Sequence, residues 1–171
     1  NSALLVRDKI SEKQFHKLMQ SVREFGEPGF VWSDSTELIV NPCVEIGMYP
    51  VDVETGESGW QACNLSTINC SKIETEDDFY ESCKAASIVG TLQAGFNSFP
   101  YLGEVSERII AKEALLGVSM TGMMDCPDVC LDPEIQRWGA KTVKEANKDM
   151  AKKIGINPAA RSTCIKPEGT T

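Results

Sequence analysis

The chain has 171 residues and a net charge of −8, from 17 basic and 25 acidic side chains. That balance excludes a basic phosphate-backbone-binding surface, so neither nucleic acid nor a membrane is an expected partner. The apolar share of 42% suits a folded domain, and no run of about 18 apolar residues offers a transmembrane helix.

Residues 11–25 are expected to form a helix. Ser11 and Gln14 have capping-box spacing, Phe15, Leu18, Met19 and Val22 make one apolar stripe, and Gly26 and Pro28 stop it. His16 lies beside that stripe and reads as a surface residue. Residues 30–40 carry short apolar groups around the turn Ser33-Asp34-Ser35, and Pro42 suits a strand end or a loop. Val44, Ile46 and Met48 then alternate, 54–59 reads as a turn, and 60–68 as an extended return. A second helix spans about 77–92, opened by Thr75 and Asp78 and followed by Gly95, Asn97 and Pro100. Residues 104–116 have helical composition, and 117–122 suit a strand or a tight buried turn. The strongest helix runs from Pro133 to Ile154, capped by Asp132 and ended by Gly155. Residues 161–165 are expected to be a strand. Helices alternating with short extended pieces indicate an α/β class. The final Gly/Thr-rich turn reads as leading onward, as in a piece of a longer chain.

Seven cysteines and a single histidine narrow the chemistry. A Ser-His-Asp triad, a His-rich zinc site and a facial iron triad are all disfavoured. The first residues are too short an apolar stretch for a secretory signal, so a cytoplasmic location is expected and a disulfide framework is not. Reactive groups would then be thiols and carboxylates. In an extended segment Asn41, Cys43 and Glu45 would share one side, with neighbours roughly 6.7 Å apart. The carboxylate disfavours a thiolate at Cys43 by like-charge repulsion, but it does not hinder a neutral thiol that reacts by one electron. Glu45 is placed to act as a base toward a hydroxyl, and Asn41 to orient a substrate. The same spacing also fits a packed cysteine beside a turn asparagine.

Cys63 suits a redox thiol if a second cysteine comes within reach; Cys70 or a residue outside this chain are the options. Cys70, Cys83 and Cys164 read as core. Cys126 and Cys130 supply only two ligands, so no metal is expected. The turn Pro167-Glu168-Gly169-Thr170-Thr171 exposes N–H groups and hydroxyls of a kind that hold a phosphate.

Taken together, these residues resemble the catalytic subunit of ribonucleotide reductase. Asn41-Pro42-Cys43-Val44-Glu45 looks like the family's finger-loop motif, Cys63-Asn64-Leu65 like the segment of its second redox cysteine, and Lys166 to Thr170 like its substrate-phosphate loop. Residues 26–30, 117–122 and 154–158, with the run Cys164 to Pro167, look closest to the class II, adenosylcobalamin-dependent branch. The resemblance implies a ten-stranded α/β barrel with a central finger loop, of which residues 1–171 are a partial catalytic domain, incomplete at both ends. It implies radical reduction of ribonucleotides to the deoxyribonucleotides used in DNA replication, with adenosylcobalamin as cofactor. By the same resemblance, Cys43 carries the thiyl radical, Glu45 is the base on the ribose 3′ hydroxyl and Asn41 bonds the ribose. Cys63 is one half of a reducing dithiol whose partner in the family lies upstream of residue 1. Pro167, Glu168, Gly169, Thr170 and Thr171 bind the substrate phosphates. The implied partners are the ribonucleotide, the remaining segments of the reductase and a thioredoxin-like reductant, and the isolated chain is expected to be inactive. The alternatives are a class I large subunit served by a separate metal radical subunit, and a non-enzymatic thiol-rich interaction domain.

Overall fold

A computed structural model describes residues 2–168. The chain divides between Pro50 and Val51 into two compact units.

The first unit begins with β1 (Ser2–Val6), α1 (Glu12–Phe25) and β2 (Gly29–Ser33). β1 and β2 pair in parallel from Ser2↔Gly29 to Val6↔Ser33, so α1 is the crossover that parallel neighbours require. The expected capping box is present: the Ser11 hydroxyl accepts from the Gln14 N–H while the Gln14 side chain accepts from the Ser11 N–H. Phe15 lays its ring against Phe30 and Trp32, with centroids 6.2 and 5.9 Å apart. The unit closes with a small antiparallel hairpin, β3 (Ile39–Val40) and β4 (Gly47–Met48).

In the second unit β5 (Asn64–Asn69) and β6 (Leu116–Thr121) pair in parallel from Asn64↔Leu116 to Asn69↔Thr121. The crossover holds α2 (Glu76–Ala94) and α3 (Gly103–Glu113). After β6 come the short α4 (Pro127–Cys130) and the long α5 (Pro133–Ile154). α5 spans the residues its local signals dictate. The Asp132 carboxylate accepts from the Glu134 and Ile135 N–H groups at the start, and Gly155 turns left-handed at φ 75° at the end. α2 packs on α5 where Gly139 leaves no Cβ; one there would lie 2.6 Å from Phe79 Cε1 and 3.1 Å from Cys83 Sγ. The core between these helices and the strands contains Ile68, Phe79, Cys83, Val118, Ile135 and Val143. Its polar groups are paired rather than orphaned. Ser87 Oγ donates to the Val143 carbonyl at 2.7 Å, and Asn147 Nδ2 donates to Thr91 Oγ1 at 2.9 Å.

The mixed α/β class therefore stands. Each sheet among the described residues has two strands, so these residues by themselves do not build the ten-stranded barrel. Two further expectations are corrected. The extended return becomes a ladder only at Asn64, and residues 161–165 make one isolated bridge, Val118↔Thr163, rather than a strand. Hydrogen bonds from Val118 N to the Ser162 carbonyl (2.9 Å) and from Cys164 N to the Val118 carbonyl (3.0 Å) flank that bridge. Among the described residues no helix is long and apolar enough to cross a membrane.

Candidate functional site

The loop joining β3 to β4 carries Asn41, Cys43 and Glu45. It is not extended, as the i, i+2, i+4 reading required. Val44 N donates to the Asn41 carbonyl at 3.0 Å, closing a tight turn, and Val44 sits in the left-handed region at φ 69°. Pro42 occupies the turn position that its fixed φ suits. Asn41 is 8% exposed and clasps the loop: its Oδ1 accepts from Ile46 N at 3.0 Å, and its own N–H donates to the Ile46 carbonyl at 3.3 Å. This clasp was missed at the level of sequence, although asparagine's habit of bonding nearby backbone is its signal.

The turn lifts Cys43 into solvent while Glu45 is half-buried. Both Glu45 carboxylate oxygens are buried without a hydrogen-bond partner. A buried carboxylate in that condition is costly. The cost is relieved by a donor from outside, such as a ligand hydroxyl. The loop thus offers an accessible thiol two residues from an acceptor that lacks its donor.

In the second unit Cys63 lies just before β5 and is half-buried. Its sulfur is 3.3 Å from where a Cβ on Gly117 would stand, and the Cys164 sulfur is 3.0 Å from the same point. Cys164 is half-buried in irregular chain, which corrects its reading as a core strand residue. The first part of the expected phosphate loop is held to the strands. Thr67 Oγ1 donates to Glu168 Oε1 at 2.9 Å, Lys166 N donates to Ser119 Oγ at 2.8 Å, and Lys166 Nζ lies 3.5 Å from Glu168 Oε1. The Thr67 hydroxyl, with Lys166 nearby, holds the Glu168 carboxyl below its ordinary value. Pro167 is exposed; Gly169, Thr170 and Thr171 lie outside the described residues.

The remaining cysteines behave as packing groups. Cys70 and Cys130 are fully buried and Cys83 is 3% exposed. Burial pushes the Cys70 thiol up, and pushes those of Cys83 and Cys130 up to about 12. Cys70, Cys126 and Cys130 pack in one cluster, yet among the described residues no group of three or more candidate ligands is arranged to hold a metal. His16 is exposed on α1, 3.6 Å from Glu12.

No family model matches the chain. It is similar to a probable adenosylcobalamin-dependent ribonucleoside-triphosphate reductase of Dictyostelium discoideum, 24% identical over 169 residues that cover 91% of this chain and 22% of that protein. It is also similar to the adenosylcobalamin-dependent ribonucleoside-triphosphate reductase of Lactobacillus leichmannii, 22% identical over 201 residues, covering 91% of this chain and 26% of the relative. The chain thus spans about a quarter of the length of these relatives. Among solved structures it is similar to a B-12-dependent (class II) ribonucleotide reductase, with a TM-score of 0.57 and 22% identity over 98% of this chain and 32% of that one. The resemblance to the class II branch is borne out, and the class I and non-enzymatic alternatives are not favoured.

Proposed function

We propose that this chain is a section of the catalytic subunit of an adenosylcobalamin-dependent ribonucleotide reductase, acting on ribonucleoside triphosphates. The observation that carries the reading is the loop 41–46, where an exposed Cys43 thiol stands beside a buried Glu45 carboxylate that lacks a donor. Cys43, as a thiyl radical, takes the ribose 3′ hydrogen atom, and Glu45 accepts the proton of the 3′ hydroxyl. That hydroxyl supplies the donor Glu45 lacks. Asn41 has a double duty: Oδ1 clasps the loop, and the amide Nδ2 is the group it turns to the ribose. Cys63 serves in the dithiol that reduces the 2′ position, completed by a cysteine elsewhere in the larger protein and renewed by a thioredoxin-like reductant. Lys166, Pro167 and Glu168, with Gly169, Thr170 and Thr171, hold the phosphates, and an arriving triphosphate competes with Glu168 for Lys166.

The described residues do not fit the cofactor itself. The cavity of about 250 Å³ between β5, β6, α2 and α5 is lined by apolar side chains such as Ile68, Phe79, Val118 and Val143, and the clefts of about 340, 430 and 680 Å³ lie open along α1 and α3, so none of these encloses a group as large as a corrinoid. The single histidine is on the exposed face of α1. Adenosylcobalamin, which would supply radical initiation, is therefore assigned to the larger protein. The test joins this chain, by fusion or in trans, to the remaining reductase segments and measures deoxyribonucleotide formation. Activity is expected to require cobalamin and to vanish in Cys43→Ser. Activity without cobalamin that depends on a metal subunit would overturn the class, and full activity in Cys43→Ser would overturn the radical role.

A further inference from the structure

We propose that the Thr67 hydroxyl and the Lys166 ammonium form an anion seat on the β5–β6 sheet, and that Glu168 is its tethered occupant, displaced when a phosphate arrives. That the phosphate belongs to a ribonucleotide rests on the proposed function; the seat itself rests on geometry. Strand pairing sets Thr67 on β5 opposite Ser119 on β6. Alternation turns both away from Ile68, Val118 and Met120, which pack into the helix-covered core. After the bridge at Thr163 the chain is fastened to this polar face: Lys166 N donates to Ser119 Oγ at 2.8 Å, and Ser119 is 1% exposed. Two donors then converge on one oxygen. Thr67 Oγ1 donates to Glu168 Oε1 at 2.9 Å, and Lys166 Nζ lies 3.5 Å from the same atom. Thr67 is exposed, so a ligand reaches the seat from solvent.

A hydroxyl donor beside an ammonium suits a phosphate, with the ammonium acting as a point charge. While no ligand is bound, the Glu168 carboxylate satisfies both donors with a single charge. A phosphate group brings about −1.5 to −2 of charge and three acceptor oxygens, so it takes both donors from the carboxylate. Glu168 is suited to yield. It stands two residues from Lys166 in irregular chain, with the exposed Pro167 between them. Its side chain therefore leaves without breaking the β5–β6 ladder or the bond from Lys166 to Ser119. The tether also makes the seat selective. A free monoanion gains no charge over the carboxylate it would replace, and it competes with an occupant held at high effective concentration. Only a multiply charged group overcomes that, which fits the seat to phosphates.

The test titrates the native 171-residue chain and its variants with inorganic tripolyphosphate by isothermal calorimetry. Glu168→Ala empties the seat and is expected to tighten binding about fivefold, the scale of one partly exposed ion pair. In that background Thr67→Val and Lys166→Met are each expected to weaken binding about tenfold or more, as for a lost hydrogen bond to a charged group. In the native background the same two changes cost less, because occupant and ligand lose the same donor. Far-ultraviolet circular dichroism confirms that each variant folds, and misfolding does not produce a gain in affinity. Unchanged or weaker binding in Glu168→Ala would overturn the occupant role, as would equal losses in the two backgrounds. Absence of binding by the native chain and Glu168→Ala alike would overturn the seat. A reconstituted enzyme that reduces no nucleotide while this pattern holds would count against the proposed function and leave the seat standing.

Discussion

Cys130 and Cys43 present the same thiol to opposite surroundings. Cys130 is sealed among Cys70, Cys126 and the apolar core, with burial pushing its thiol up to about 12. Cys43 stands in solvent on a hydrogen-bonded turn, two residues from a carboxylate whose oxygens lack partners. The difference shows that solvent access and neighbouring groups, rather than residue type, decide which cysteine packs and which reacts.

The contrast breaks most sharply under substitution. In the reconstituted enzyme Cys43→Ser is expected to abolish nucleotide reduction and leave the unfolding midpoint in place. Cys130→Ser puts a hydroxyl into the core and is expected to cost about 1–3 kcal/mol of stability. Product assays and denaturant melts on both variants check this, and a reversal of the two outcomes would undo the comparison. Alkylation sharpens it. At pH 8 a thiol pushed up to about 12 has a thiolate population roughly 10³-fold below that of an ordinary cysteine at about 8.5. Timed iodoacetamide labelling read by mass spectrometry should therefore mark Cys43 in the native chain, and Cys83 and Cys130 only after denaturation.

Backbone crowding gives a smaller contrast between the same regions. An Ala at 139 would set its Cβ 2.6 Å from the Phe79 ring, so Gly139→Ala is expected to cost about 1–3 kcal/mol. Gly47→Ala on the hairpin meets nothing within 4 Å and should stay within about 0.5 kcal/mol. Thermal melts of the two variants decide it. The smallest effect is at Glu168. Its carboxyl is held below the ordinary 4.5 by the Thr67 hydroxyl and Lys166, so its contribution is present above that value and fades as pH falls through the lowered one. The stability difference between the native chain and Glu168→Gln should accordingly shrink on acidification. An unchanged difference across that range would remove Glu168 from the clasp.

Much of this architecture was legible because its signals are local. Asp132, Pro133 and Gly155 delimit α5, and Ser11 with Gln14 opens α1, since a cap acts within a few residues of itself. The site was legible as a set of residues but not as a shape. Strand alternation placed Asn41, Cys43 and Glu45 on one side of an extended segment. The chain turns instead, because the Asn41 side chain bonds the Ile46 backbone and Val44 takes a positive φ. Cys164 was read as core because the apolar pattern of 161–165 suits a strand, whereas only Thr163 finds a bridge partner.

The order of residues by itself determined the limits of α1 and α5, the α/β alternation and which side chains carry chemistry, all consequences of short-range bonding and periodicity. Tertiary structure alone decided which thiols are sealed, that Glu45 lacks a donor and that Cys63 and Cys164 both come close to the bare face of Gly117. Burial and through-space approach depend on segments far apart in the chain, and no local pattern encodes them.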